Sequence, residues 1–86
     1  MTTPADLARL LVQLGFQRDA ADPRFWQLEL EGRLVAMVKI ASVGPILDPA
    51  LLNEVARQLG VRPGFLQALL GGTKQRHHYL AALQPD

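Results

Sequence analysis

The chain predicts an α+β domain, a small antiparallel sheet of two to three strands packed by helices in the order α-β-β(-β)-α-α-α. Three observations predict it. Leu7, Leu10, Leu11 and Leu14 follow the i, i+3, i+4, i+7 spacing of one buried helical face. Two runs of alternating polarity, 24–30 and 33–40, flank the pair Glu31-Gly32. Helix-start signals at Asp48-Pro49, Pro63 and Thr73 each precede a further set of apolar positions.

The first helix begins with Thr3 as N-cap, Pro4 at the first helical position and Asp6 three residues after the cap. Gly15 ends it by supplying a left-handed backbone, and Phe16 packs back on the last turn. Residues 17–23 read as a loop. In the first strand Trp26, Leu28 and Leu30 alternate with Phe25, Gln27 and Glu29. In the second, Leu34, Ala36, Val38 and Ile40 form one face and Arg33, Val35, Met37 and Lys39 the other. A lone hairpin is barely stable, so a helix must cover its apolar side. There is room for a third short strand in 17–23 or 42–47, and the sequence does not place it.

The second helix has Asp48 as cap, Pro49 as first residue, Leu52, Val55, Ala56 and Leu59 as its buried stripe, and Gly60 as its stop. Pro63 opens the third, whose apolar positions are Phe65, Leu66, Leu69 and Leu70 before Gly71-Gly72. Thr73 caps a last helix carrying Tyr79, Leu80 and Leu83. In this arrangement the first two long helices cover the sheet and the rest forms a C-terminal extension.

Eighty-six residues fit a single domain, 1–86, in which about 60–65% of the unfolded surface is buried. The hydrophobic share of 49% suffices for such a core. No cysteine is present, which excludes disulfides and thiolate metal sites and favours a reducing compartment. The longest strongly apolar stretch, Leu34 to Val38, is far short of the roughly 18 residues of a membrane span. Met1 to Asp6 has neither a basic nor an apolar leader region. A cytoplasmic protein without membrane contact is expected.

The net charge of +1 is unevenly spread. From Val55 to Pro85 there is no Asp or Glu, while Arg57, Arg62, Lys74 and Arg76 are present beside His77 and His78. These six residues form the candidate nucleic-acid-binding set, because a polyanion or an acidic partner is drawn to such a half. Scattered cations of this number are also ordinary solvated groups.

The order of these elements resembles that of the HicA-like toxin family. Leu11-Val12-Gln13-Leu14-Gly15-Phe16 is similar to the family's first-helix ending, and Ser42-Val43-Gly44 to a Ser-His-Gly segment after the last strand of some relatives. Leu51 to Gly60 is similar to their second helix, and Phe65 to Leu70, with Tyr79 and Leu83, to their C-terminal part. The resemblance covers most of the chain. It implies a fold like that of the double-stranded-RNA-binding domain, ribonuclease ancestry and an antitoxin-type protein partner. The family's catalytic histidine sits on the first strand, where a neutral imidazole takes the proton of a ribose 2′-hydroxyl. The matching stretch here, Asp22-Pro23-Arg24-Phe25-Trp26, has no histidine, and Val43 stands in the Ser-His-Gly segment. The resemblance therefore implies a nuclease-deficient module that binds RNA or a protein, with no catalytic residue.

A second, local resemblance is to the helix-turn-helix unit, over Leu52 to Leu70, with Ala56 at the crossing and Gly60 at the turn. It implies DNA as the alternative partner and a homodimer as the alternative assembly. Its recognition helix, 63–70, offers only Gln67 to base edges, with Arg62 at the entrance. Two packed helices with a short link are also plain core structure. A non-catalytic interaction subunit that adds a partner strand to the hairpin edge is the remaining reading.

No metal or other cofactor is expected. Adjacent residues such as His77 and His78 point about 100° apart on a helix and have no acidic neighbour. Gly71-Gly72-Thr73-Lys74 resembles part of a phosphate loop, but a helix stop followed by a Thr cap explains it. Ser42, the only serine, has no recognisable base. Trp26 and Phe25 can stack on bases where exposed, and Trp26 fits core packing with Leu28 and Leu30.

Overall fold

A computed structural model describes residues 2–40 and 48–83. Its elements are α1 (Pro4–Leu14), β1 (Gln17–Arg18), β2 (Phe25–Leu30), β3 (Arg33–Lys39), α2 (Pro49–Leu59), α3 (Pro63–Leu70) and α4 (Arg76–Leu83). This is the expected α+β order with three antiparallel strands, in the sheet order β1-β2-β3. The third strand falls in 17–23, where Gln17 pairs with Gln27 and Arg18 with Trp26. The alternative, 42–47, lies outside the described residues, as does Ser42-Val43-Gly44.

The helix ends follow the chemistry of their residues. At α1 the Thr3 hydroxyl accepts from Asp6 N–H and the Asp6 carboxylate accepts from Thr3 N–H, both at 3.1 Å. These hydrogen bonds from Thr3 hold the Asp6 carboxyl below its usual range, with a smaller contribution from Arg9. Gly15 has φ +100°, and the Gly15 and Phe16 amides donate back to Val12 and Leu11, which closes a Schellman motif. The same motif recurs at Gly60, whose amide donates to Arg57 while that of Val61 donates to Ala56. Asp48 accepts from Leu51 N–H at 2.7 Å and so caps α2.

The hairpin turn places Glu31 at φ 53° and Gly32 at φ 78°, both positive as a two-residue turn of this hand requires. The ladder then departs from simple alternation. Leu28 pairs with Ala36 but Glu29 with Leu34, so Val35 is an extra residue in β3. Cross-strand partners share a face. The bulge therefore turns Leu34 onto the outer face with Glu29, and Leu34 is 53% exposed, whereas Ala36 is partly buried and Val38 fully so. A one-residue shift reverses every side chain beyond it, and alternation counted along a single strand does not register such a shift.

The inner face of the sheet presents Trp26, Leu28 and Val38 to the helices. They join Leu7, Leu10, Leu11, Leu14 and Phe16 with Leu52, Val55, Ala56 and Leu59 in one core. Leu66, Leu69 and Tyr79 belong to the same cluster. The last two helices are thus part of the domain's single core and not an extension from it. A chain this short has no second core to offer them. The shortest dimension of the molecule, 18 Å, reflects one sheet layer under one helix layer.

The start of α4 also departs from expectation. Its first helical residue is Arg76, and the capping contacts come from His78, not Thr73. The Gln75 carbonyl accepts from the His78 and Tyr79 amides at 3.0 and 3.2 Å. The Gln75 amide donates to His78 Nδ1 at 3.0 Å. No helix among the described residues is long and apolar enough to cross a membrane.

Candidate nucleic-acid interface

The six candidate residues do not form one uniform patch. Arg57 lies on the exposed side of α2 and pairs with Glu54 one turn earlier, through Nε at 3.0 Å and through a second contact from Nη2. The Glu54 carboxylate holds the Arg57 charge close and is itself drawn below its usual range. A phosphate at Arg57 would meet a half-neutralised group.

Arg76 has a structural task. Its Nε donates to the Leu14 carbonyl at 3.2 Å, satisfying one of the orphan acceptors at the end of α1. The guanidinium reaches over Gly15, where an added Cβ would stand 3.3 Å from Nη2. His78 is likewise committed, because an imidazole that accepts at Nδ1 must be neutral there. Desolvation first, then the neighbouring charges of His77 and Lys74, push the His78 pKa down in the same direction. His77 is exposed and stacks on His78 with ring centroids 4.0 Å apart. Among the described residues no group of His, Asp and Glu is arranged to hold a metal ion.

Arg62 and Lys74 remain. Arg62 is the exposed N-cap residue of α3, and its side chain makes no capping hydrogen bond. Lys74 lies in the link between α3 and α4, held there by its amide, which donates to the Ala68 carbonyl at 3.1 Å. The fold brings the two cations to one groove of about 540 Å³, whose apolar lining is Val61, Phe65 and Ala82. The Lys74 ammonium stands 5.1 Å from the centre of the Phe65 ring. Among the described residues neither cation pairs with a carboxylate. Lys74 also lines a neighbouring hollow of about 390 Å³ with Gln75 and Arg76. A larger hollow of about 550 Å³ between α1 and the end of α3 contains the Asp6–Arg9 pair, so it offers an anion little.

Tyr79 fixes this corner from below. It is fully buried, and its hydroxyl donates to the Leu59 carbonyl at the end of α2 at 3.1 Å. Burial pushes its pKa up to about 12. The tie holds α4 against the end of α2, and Ala82 of α4 lines the groove together with Arg62.

Sequence reasoning selected Arg62 and Lys74 but missed the apolar partner that makes their position distinctive. Phe65 reads as one more apolar position of α3, whereas its side chain is only half-buried and turns toward Lys74. No local pattern distinguishes the two. Trp26 is buried as expected, with the Arg18 guanidinium 4.6 Å from its ring centre. The exposed side of α3 offers Gln67 alone as a side chain able to read a base edge.

Comparison of the chain with protein-family models, with curated proteins and with solved structures finds no match. No histidine lies on the sheet, since His77 and His78 are the two in the chain and both are in α4.

Proposed function

We propose that this domain is a non-catalytic RNA-binding module on a HicA-like scaffold. The observation that carries the reading is the joining of Arg62 and Lys74 at one groove, within a half of the molecule that has no acidic residue from Val55 to Pro85. Phosphates bind such a place through charge and release of counterions. RNA is favoured over DNA because α3 presents one base-reading side chain where a recognition helix needs several. Catalysis is not expected, since neither histidine lies on a strand and His78 is engaged by the backbone.

The test is a titration of labelled single-stranded RNA, duplex RNA and duplex DNA at two salt concentrations. RNA should bind best, with affinity falling steeply as salt rises. The Arg62→Ala/Lys74→Ala double variant should lower the salt slope by roughly 1.4, about 0.7 per lost contact to a single strand. Equal affinity of the variant would refute the proposed surface. Cleavage of the RNA that responds to mutation of His77 or His78 would overturn the non-catalytic assignment.

A second reading has its own observation. Among the described residues β3 is an edge strand and exposes Leu34, Val35 and Met37, an apolar stretch suited to pairing with a strand of an antitoxin-type partner or of a second copy. The stretch is bounded, because the Lys39 amide already donates to Gln58 Oε1 at 2.7 Å. Sedimentation equilibrium over a wide concentration range, with Met37→Lys as comparison, checks the self-pairing form. Concentration-independent monomer mass removes it.

A further inference from the structure

We propose that the groove between α3 and α4 takes one unpaired nucleotide of RNA, with its base against Phe65 and its flanking phosphates on Arg62 and Lys74. The inference rests on the RNA reading and narrows it from a charged surface to a single-nucleotide pocket. Three features of the groove carry it. Its volume, about 540 Å³, is that of a small-ligand site and too small for a duplex. Its lining joins the apolar and aromatic side chains of Val61, Phe65 and Ala82 to the cations Arg62 and Lys74, which matches the planar base and charged backbone of one nucleotide. Its lining is open at Gly64, since an added Cβ there would meet nothing within 4 Å.

The position of Lys74 shows how the pocket would fill. Its ammonium lies over the ring face of Phe65, so that face is reachable from the groove. Stacking of a base on an aromatic ring is stronger than an exposed cation–π contact. A base would therefore take the ring while Lys74 turns to the adjacent phosphate, where it gains a charge-assisted hydrogen bond. The other cations of this half do not compete for the role, because Arg57 is paired with Glu54 and Arg76 is held by Leu14. A duplex keeps its bases stacked inside and can offer only phosphates to Arg62 and Lys74.

The experiment uses the full chain and three labelled probes of equal length: oligoadenylate, the corresponding RNA duplex, and a ribose-phosphate strand without bases. Oligoadenylate should bind about 5- to 150-fold tighter than the baseless strand, the range expected for one stacked base. Phe65→Leu, which keeps an apolar side chain in the half-buried site, should lose most of that advantage without changing the salt slope. Gly64→Glu adds a carboxylate to the groove's lining and should abolish oligoadenylate binding. Gly64 lies in the first turn of α3, where a glutamate suits the helix better than glycine, so circular dichroism and thermal melting should show the fold intact. On addition of oligoadenylate, the amide resonance of Gly64 and the methyl resonance of Ala82 should shift.

Equal affinity for oligoadenylate and the baseless strand, or an unaffected Phe65→Leu variant, overturns the pocket while leaving the RNA reading in place. Failure of every RNA probe to bind overturns both. Displacement of oligoadenylate from the groove by an acidic peptide with apolar side chains, at lower concentration than by RNA, overturns the nucleotide in favour of a protein ligand.

Discussion

Helices α1 and α4 are anchored in opposite ways. In α1 the anchors lie within or beside the helix: Thr3 and Asp6 cap its start, Gly15 and Phe16 close its end, and Leu7, Leu10, Leu11 and Leu14 form a continuous buried stripe. In α4 a single residue, Tyr79, is buried, and the anchors are contacts reaching to other elements. Arg76 reaches the end of α1 and Tyr79 the end of α2, while His78 caps the helix's own start. The difference teaches where the molecule is self-supporting and where it depends on assembly. The candidate groove lies beside the dependent helix, so its geometry is only as firm as those few ties.

The largest expected effect tests the self-supporting side. Leu11 is fully buried, and Leu11→Ala should cost about 2–5 kcal/mol by loss of burial and creation of a cavity. Leu80→Ala, at a partly buried position of α4, should cost distinctly less. Urea unfolding of both variants checks the contrast, and equal losses would break it. Next comes the junction of the two helices. Gly15→Ala should cost about 1–2 kcal/mol for a left-handed alanine, and its methyl would also crowd Arg76. Thermal melting measures this loss.

The cross-element tie itself is smaller. Tyr79→Phe removes one hydrogen bond and leaves the Leu59 carbonyl without that donor, at a cost of about 1 kcal/mol. Hydrogen exchange should speed up in α4 more than in α1; uniform acceleration would mean that α4 is not separately anchored. The smallest effect is the response to pH. The folded-state pKa of His78 is lowered from 6.5, so the folded state disfavours its protonated form. The associated stability is fully present above pH 6.5 and is lost as pH falls from there through the depressed folded value. Protonation at Nδ1 also removes the acceptor for the Gln75 amide. Nuclear magnetic resonance titration should show His78 titrating below the ordinary histidine value of 6.5, with the Gln75 amide shifting in step.

The fold was largely legible because its strongest signals are local. Thr3, Gly15, Asp48, Gly60 and Pro63 occupy the positions that the rules of helix ends assign them. The places where reading failed are all long-range or one residue wide. The bulge at Val35 reverses Leu34 through pairing with β2, which no property of β3 alone announces. His78 displaces Thr73 as the source of the α4 cap because the helix starts at Arg76, two residues later than a Thr73 cap indicates. Of the six candidate cations and histidines, charge alone could not separate Arg57 and Arg76, with partners inside the fold, from Arg62 and Lys74 at the groove.

By itself the sequence determined the element order, the helix boundaries at glycine and proline, the buried leucine stripes and the acid-free C-terminal half. Each of these depends on residues within a few positions of one another, or on composition. The tertiary structure decided which cations face a common groove, that Phe65 is their aromatic neighbour, and that α3 and α4 share the single core. Those facts depend on contacts between segments far apart in the chain, which form only when apolar faces from all of them are buried together.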